Sequence, residues 1–335
     1  MLQKVVNIIY SRTSRYSKPL DPEQVGLIKA AGPGIKFWDI TELVRAEEQG
    51  DQSSADKLKA ILAMAEVMYG FPPPPNLIPR SPGLKWIQTP LAGIDPFLIP
   101  EIIDGPVILT NARGIHDQVA ELAMNLMLML AKKAPAFYRL QRERRWQSSI
   151  PGLLHSRTVG ILGLGNIGRE IARLAKAFHM KVIGMKVRPV KKLKNVDAIL
   201  PPEQLSLLLR QSDYVVVTLP LTSDTTRLIG ETELKAMKPS AYLINVARGG
   251  IVDEQLLVRA LKENWIAGAG LDVFTLEPLP PGSPLWDLPN VIITPHCGGL
   301  REDYDLYATR LFCKNLKRYL SGKELLNIID KKKGY

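Results

Sequence analysis

Six residues, Gly163-Leu164-Gly165-Asn166-Ile167-Gly168, constrain this chain more than any others. They follow an apolar run, Val159–Gly163, and open an amphipathic stretch, Ile167–Phe178, which leads into a second apolar segment, Lys181–Met185. A glycine motif of this spacing is a weak signal alone, but between a strand and a helix each glycine has a physical task. Gly163 permits a tight turn, Gly165 lets backbone approach a ligand closely, and Gly168 lets the helix pack against the strand. The helix N-terminus then offers unpaired N–H groups and the positive end of a dipole, a setting suited to phosphate.

The same alternation continues downstream. Helical stretches at Glu203–Gln211, Glu231–Met237 and Asp253–Asn264 separate apolar runs at Tyr214–Leu219, Ala241–Val246, Gly268–Val273 and Val291–Thr294. Strands alternating with helices predict a doubly wound parallel sheet. The runs are apolar throughout, as strands covered on both faces should be. In such a fold the glycine loop binds a dinucleotide cofactor, with Gly163, Gly165, Asn166, Ile167 and Gly168 at the pyrophosphate. The first hundred residues have a different texture. Short apolar runs (Val5–Ile9, Leu84–Ile87, Val107–Leu109) alternate with polar helical segments such as Asp51–Ala63, which predicts a small second α/β unit. At roughly 100–200 residues per domain, 335 residues accommodate two domains. Between them, Asp117–Leu140 reads as one long helix, apolar on nearly all sides, either a core helix or one shared between domains or subunits.

An NAD site normally places a carboxylate at the end of the second strand, on the adenosine ribose. Here that strand is followed by Lys186-Val187-Arg188-Pro189, with Lys191, Lys192 and Lys194 close behind. A cationic pocket suits the 2′-phosphate of NADP and offers a ribose hydroxyl no acceptor. Lys186 and Arg188 therefore point to NADP over NAD.

Three further motifs lie just past strands, where open α/β sheets place their ligands. They are Asn245-Val246-Ala247-Arg248-Gly249-Gly250-Ile251-Val252-Asp253, Gly270-Leu271-Asp272-Val273-Phe274 with Glu277-Pro278-Leu279-Pro280, and Thr294-Pro295-His296-Cys297-Gly298-Gly299. Hydride transfer to a 2-keto acid needs a cation for the substrate carboxylate, an acid for the developing alkoxide, and a nicotinamide against the carbonyl carbon. A guanidinium grips a carboxylate with a two-pronged fork, so Arg248 suits the first role. Histidine titrates nearest neutrality, so His296 suits the second. Glu277 can orient that imidazole and hold it ready to donate.

With these motifs in this order, the chain resembles the D-isomer-specific 2-hydroxyacid dehydrogenase family, in particular its glyoxylate/hydroxypyruvate reductases; the motifs span about residues 88–300. The resemblance implies a Rossmann cofactor domain over 111–295, inserted into a smaller flavodoxin-like α/β substrate domain built from 1–110 and 296–335. It assigns Arg248, Glu277 and His296 the roles just argued. It implies that backbone amides at Ala92 and Gly93 bind the substrate carboxylate, that Thr218, Leu219 and Pro220 lie near the adenosine, and that Asp272 bonds the nicotinamide carboxamide. Val246, Ala247, Arg248, His296 and Gly298 complete the expected cofactor contacts. Family members often carry histidine where Thr218 stands. It also implies a homodimer formed through the helix after Gly114. A formate-dehydrogenase-like activity is disfavoured, since those relatives have glutamine at the Glu277 position. Phosphoglycerate or phosphite dehydrogenase chemistry, or a nucleotide-sensing corepressor, remain as alternatives.

Composition narrows the partners. Net charge is +11, but the basic residues are not interleaved with aromatics, so nucleic acid is not the expected partner; anionic small molecules are. The longest membrane-like stretch, Val119–Ala131, falls short of the ~20 residues a spanning helix needs. The N-terminus lacks a convincing export signal, and Cys297 and Cys313 show no metal-like spacing. The expectation is a soluble cytoplasmic protein without a metal. Substrate side-chain recognition is unplaced. Arg12, after the first strand, either meets an anionic substrate or is a surface residue, and Trp286 is a candidate cap on the pocket.

Overall fold

The computed structural model describes residues 5–13, 19–114, 116–187, 191–300 and 302–333. They fall into two compact units, one of Met1–Gly114 with Arg301–Tyr335, the other of Ile115–Leu300.

The first unit opens with β1 (Val6–Ser11), α1 (Pro22–Lys29), β2 (Ile35–Asp39), α2 (Thr41–Glu48), α3 (Gln52–Ala63), β3 (Val67–Gly70), α4 (Leu77–Arg80), β4 (Trp86–Thr89), α5 (Pro100–Ile103) and β5 (Ile108–Asn111). The helix starts are written locally. Asp21 accepts from the Gln24 amide while the Gln24 side chain accepts from the Asp21 amide, and Pro22 fixes the first helical φ. The five strands pair in parallel in the order β2-β1-β3-β4-β5, a flavodoxin-like sheet.

The second unit holds α6 (His116–Ala131), α7 (Ala134–Arg142), β6 (Thr158–Leu162), α8 (Asn166–Ala177), β7 (Lys181–Met185), β8 (Ala198–Leu200), α9 (Leu205–Gln211), β9 (Tyr214–Val217), α10 (Glu231–Ala236), β10 (Tyr242–Asn245), α11 (Glu254–Lys262), β11 (Gly268–Leu271) and β12 (Val291–Ile293). Its seven strands are all parallel, in the order β12-β11-β10-β9-β6-β7-β8. This is the doubly wound Rossmann arrangement, whose order reverses between β6 and β9. An apolar layer lies on each face. One includes Leu162, Val215, Val217, Leu243 and Leu257, the other Val159, Ile161, Val216, Ile171 and Leu126. The chain then returns to the first unit with α12 (Tyr304–Leu320), whose Phe312 and Leu316 pack on Val67, Tyr69 and Trp86.

The continuous helix expected over Asp117–Leu140 is two helices. Lys133 adopts a left-handed φ of 57°, and Pro135 sits in the first turn of α7. Proline has no N–H to continue a helix and clashes with the preceding turn, so the break belongs there. The apolar character also divides. α6 buries Val119, Ala123, Leu126, Met127 and Leu130, whereas α7 buries nothing within this chain. Among the described residues no helix is long and apolar enough to cross a membrane.

Candidate active site

The site in the larger unit is built at the carboxyl ends of its strands, beginning with the glycine loop. β6 ends at Leu162, and Gly163 turns the chain with φ 110°, a conformation that side chains rarely adopt. A Cβ at Gly168 would lie 2.0 Å from the Gly163 carbonyl oxygen, so helix α8 can approach β6 only with glycine there. Gly165 differs. It is the N-cap of α8, and a Cβ built on it meets nothing within 4 Å. That open space over a twelve-residue helix N-terminus is what a pyrophosphate needs, and Asn166 and Ile167 supply the next amides. The switch-point strand braces the loop from the other side. Thr218 donates its hydroxyl to the Gly163 carbonyl at 2.7 Å and its amide to Leu162 at 2.9 Å. Leu219 and Pro220 follow, with the Pro220 carbonyl accepting from Thr225 at 2.6 Å. The residues present fit a dinucleotide.

At the end of β7, Lys186 is half-buried and its amide donates to Leu200, anchoring the basic loop to β8. Arg188 lies outside the described residues. A cavity of about 310 Å³ adjoins the first turns of α8, lined by Asn166, Arg169 and Lys194 among others. Arg169 is a cation near the glycine loop that motif reading did not single out. Its spacing from Asn166, one helical turn, was the available signal.

The candidate reactive set comes from three loops. Asn245, buried at the end of β10, accepts the Ala247 amide at 3.1 Å and donates to the Arg248 carbonyl at 3.0 Å. This fold-back buries Val246 and Ala247 and sets the Arg248 backbone; Nη1 of Arg248 donates to the Ala247 carbonyl at 2.7 Å. Gly249 then lies flat on the next loop, where a Cβ would stand 1.9 Å from the carbonyl carbon of Phe274. From that loop, Glu277 accepts the Phe274 amide at 2.9 Å through Oε1, and Oε2 lies 2.6 Å from Nδ1 of His296. Burial acts to raise the Glu277 pKa, but the hydrogen bonds from His296 and the Phe274 amide, with the positive charges of His296 and Arg248, hold it below the usual carboxylate range. The structure thus brings Glu277 and His296 into contact and Arg248 into their electrostatic reach.

His296 carries a left-handed φ of 50°, uncommon for a non-glycine residue, and the loop is strapped down to sustain it. Its amide donates to the carbonyls of Asp272 at 2.8 Å and Thr294 at 3.0 Å. Asp272 is 2% exposed. Its Oδ1 accepts from the Thr294 hydroxyl at 2.6 Å and the Cys297 amide at 2.9 Å, and its Oδ2 accepts from the Gly298 amide at 2.9 Å. Asp272, expected on the nicotinamide carboxamide, holds the histidine loop through these bonds. Burial pushes the Cys297 thiol up, with the Asp272 charge adding to it, in keeping with a packing role. Trp286 is half-exposed, with its indole N–H on the Pro280 carbonyl at 3.0 Å. Among the described residues no group of histidine, cysteine and carboxylate side chains could hold a metal ion.

In the smaller unit Ala92 and Gly93 follow β4, and Asn111 donates to the Ala92 carbonyl at 2.6 Å. Arg12 is not the surface residue that its place after β1 allowed. Its side chain is 11% exposed, and Nη1 lies 2.5 Å from Oδ1 of Asp305.

Comparison with known proteins agrees with this geometry. Residues 124–298 match the model of the D-isomer specific 2-hydroxyacid dehydrogenase NAD binding domain. The chain is 36% identical over 267 residues to a glyoxylate reductase of Thermococcus litoralis, covering 76% of this chain and 80% of that one. It is 36% identical over 265 residues to glyoxylate/hydroxypyruvate reductase B of Pectobacterium carotovorum subsp. carotovorum, covering 76% and 82%. Among solved structures, a D-isomer specific 2-hydroxyacid dehydrogenase from Xanthobacter autotrophicus Py2, in complex with NADPH and MES, superposes with a TM-score of 0.82 at 31% identity, over 99% of this chain and 100% of that one.

Proposed function

This chain belongs to the D-isomer specific 2-hydroxyacid dehydrogenase family, and we propose that within it the protein is an NADPH-dependent reductase of glyoxylate and hydroxypyruvate. The reaction class is the transfer of a hydride between NAD(P)H and a 2-keto acid/2-hydroxy acid pair; the bound nicotinamide supplies the hydride. The protein's own residues do the rest. The Arg248 guanidinium holds the substrate carboxylate and polarises the carbonyl. His296 gives a proton to the developing alkoxide from Nε2, because Nδ1 is engaged by Glu277. Glu277 fixes the imidazole's orientation through that contact. Ala92 and Gly93 carry over from the family as carboxylate ligands through their amides.

The observation that carries this reading is the 2.6 Å contact between Glu277 and His296, because it fixes the ring with Nδ1 engaged and leaves Nε2 as the nitrogen that can donate. NADP is favoured by Lys186 standing where NAD sites have a carboxylate, and by the NADPH found in the Xanthobacter relative. A homodimer is favoured by α7 and the segment after it. Tyr138, Trp146, Ile150 and Leu153 are 62%, 104%, 89% and 61% exposed, four large apolar side chains left to water within sixteen residues. The two free cysteines accord with a cytoplasmic location.

The test is steady-state turnover of glyoxylate and hydroxypyruvate with NADPH and with NADH. Oxidation of NADPH by both acids is expected. A strong NADH preference overturns the cofactor assignment. The absence of turnover with any 2-keto acid overturns the enzyme reading in favour of a nucleotide-sensing protein.

A further inference from the structure

Two positive side chains of the larger unit, Arg169 and Lys194, line one cavity of about 310 Å³. Arg169 stands in the first turn of α8, and Lys194 in the chain between β7 and β8. Each has a fixed anchor. Arg169 folds back on the glycine loop, with Nη2 donating to the Asn166 side chain at 2.7 Å and Nε to the Gly165 carbonyl at 3.3 Å. Lys194 sits on a turn closed by the Val196 amide on the Leu193 carbonyl, in which Asn195 takes a left-handed φ of 65°. Leu193 and Val196 pack on the apolar layer that holds Ile171, and Asp197 secures the end of the turn by accepting the Val182 amide at 2.7 Å.

The charges around this cavity do not cancel. Glu170 and Arg173 also line it, but they satisfy each other. Nε of Arg173 donates to the two Glu170 oxygens at 2.8 and 3.0 Å, and this bonding holds the Glu170 carboxyl below its usual range. His116, on the same lining, lies 3.3 Å from Asp117. Among the described residues no carboxylate pairs with Arg169 or Lys194. On a helix face turned wholly to water the two side chains would spread apart. Here the bonds to Gly165 and Asn166 keep Arg169 at the loop, so the two charges repel unless an anion lies between them.

We propose that Arg169 and Lys194 form the subsite for the 2′-phosphate of NADP, an inference that rests on the NADP reading of the dinucleotide site. In a Rossmann unit the pyrophosphate lies at the helix after the first strand, and the adenosine ribose at the end of the second. This cavity is lined by that helix, through Asn166 and Arg169, and by the chain that leaves the second strand, through Leu193 and Lys194. A phosphate monoester carries ~1.5–2 negative charges at neutral pH and presents acceptor oxygens. The Arg169 guanidinium keeps donors to spare beyond its bonds to Gly165 and Asn166, and the Lys194 ammonium supplies a point charge from the other flank. The ribose hydroxyl of NAD carries no charge to balance theirs.

The test reads binding and not turnover. Calorimetry with 2′,5′-ADP, which carries the group, and 5′-AMP, which lacks it, gives an affinity ratio for the wild type, R169Q, K194Q and K194E. The wild type should prefer 2′,5′-ADP by at least ~30-fold, less as salt is added. R169Q should cut that preference by about 10-fold, the worth of one charged hydrogen bond. K194Q should cut it by about 3-fold, as befits an exposed charge, and K194E by more. Lys194 is exposed on its turn, so its variants report even where R169Q disturbs the glycine loop. A full preference retained in R169Q or in K194E overturns this subsite and leaves the NADP reading standing. So does an equal loss for both ligands in every variant, which marks a distorted loop. Inorganic phosphate that binds the wild type alongside saturating 2′,5′-ADP, but not K194E, assigns the cavity to a free anion and likewise overturns the 2′-phosphate. A wild type that binds 2′,5′-ADP and 5′-AMP alike sinks the NADP reading and this inference together.

Discussion

Glu277 and His296 meet side chain to side chain, Oε2 to Nδ1 at 2.6 Å, while the other carboxylate oxygen takes the Phe274 amide at 2.9 Å. The carboxylate is therefore pinned before it reaches the imidazole, and its two oxygens do separate work. One fixes the loop and the other fixes the ring.

Replacing Glu277 with glutamine keeps the shape and removes the charge. E277Q should lower kcat/KM for keto-acid reduction by about 10²–10⁴-fold, the usual worth of a positioned acid catalyst. The effect on stability has a definite pH window. The folded-state pKa of Glu277 lies below its ordinary value of 4.5, so the stabilisation is complete above 4.5 and disappears as pH falls through the lower folded value. Melting curves of wild type and E277Q should differ at pH 7 and converge toward pH 3. A gap that does not change with pH would exclude the charge as the cause.

The glycine loop separates folding from binding at two neighbouring positions. G168A drives a methyl into the Gly163 carbonyl and should cost about 1–3 kcal/mol of stability, visible as a lower melting temperature. G165A meets nothing within 4 Å and should melt like the wild type, yet bind NADPH more weakly because its methyl occupies the path of the pyrophosphate. Calorimetry of the unliganded proteins and a cofactor titration distinguish the two. Equal losses in both measurements for both variants would contradict this division.

Arg248 is assigned a forked grip on the substrate carboxylate. R248K keeps the charge and loses the fork, and should reduce kcat/KM by about 10- to 100-fold, corresponding to one charged hydrogen bond. KM for the keto acid should carry most of the change. A variant with an unchanged KM would move the carboxylate contact to another residue.

The exposed apolar side chains Tyr138, Trp146, Ile150 and Leu153 make a hydrodynamic prediction. Sedimentation equilibrium should give twice the 37.3 kDa chain mass, and W146E combined with I150E should shift the species toward one chain. A wild-type monomer would refute the homodimer.

Sequence legibility followed burial. In the larger unit, strands covered on both faces read as uninterrupted apolar runs, and β7 spans Lys181–Met185 as its pattern predicts. Where a strand is short or lies at an edge, the pattern fades. β8, three residues long and half-buried, did not register, nor did β2, in which Lys36 and Trp38 are exposed. The break at Lys133 was hidden because Leu128, Met129 and Leu130 carry the apolar pattern up to it, although Pro135 was the clue. The contact of Glu277 with His296 was legible because each sits in a dense local motif. The Arg12–Asp305 contact was not, because nothing local couples residues at opposite ends of the chain. The strapping of the His296 loop by Asp272 was likewise invisible, since an aspartate at a strand end reads the same whether it faces a ligand or its own backbone.

The smaller unit takes its sheet from the early part of the chain and one of its covering helices from the late part. On the ribosome the order of synthesis and the order of completion therefore part company. After β5 emerges, roughly 190 residues must be made before α12 can cover Trp86 and Tyr69, which at 5–20 residues per second is about 10–40 s. Through that interval the nascent sheet shows an aromatic face to solvent, and the larger unit, contiguous in sequence, can finish first. Chaperone dependence during translation should concentrate on the earlier-made, later-finished half, and limited proteolysis of arrested nascent chains would show it as cleavage within residues 5–111.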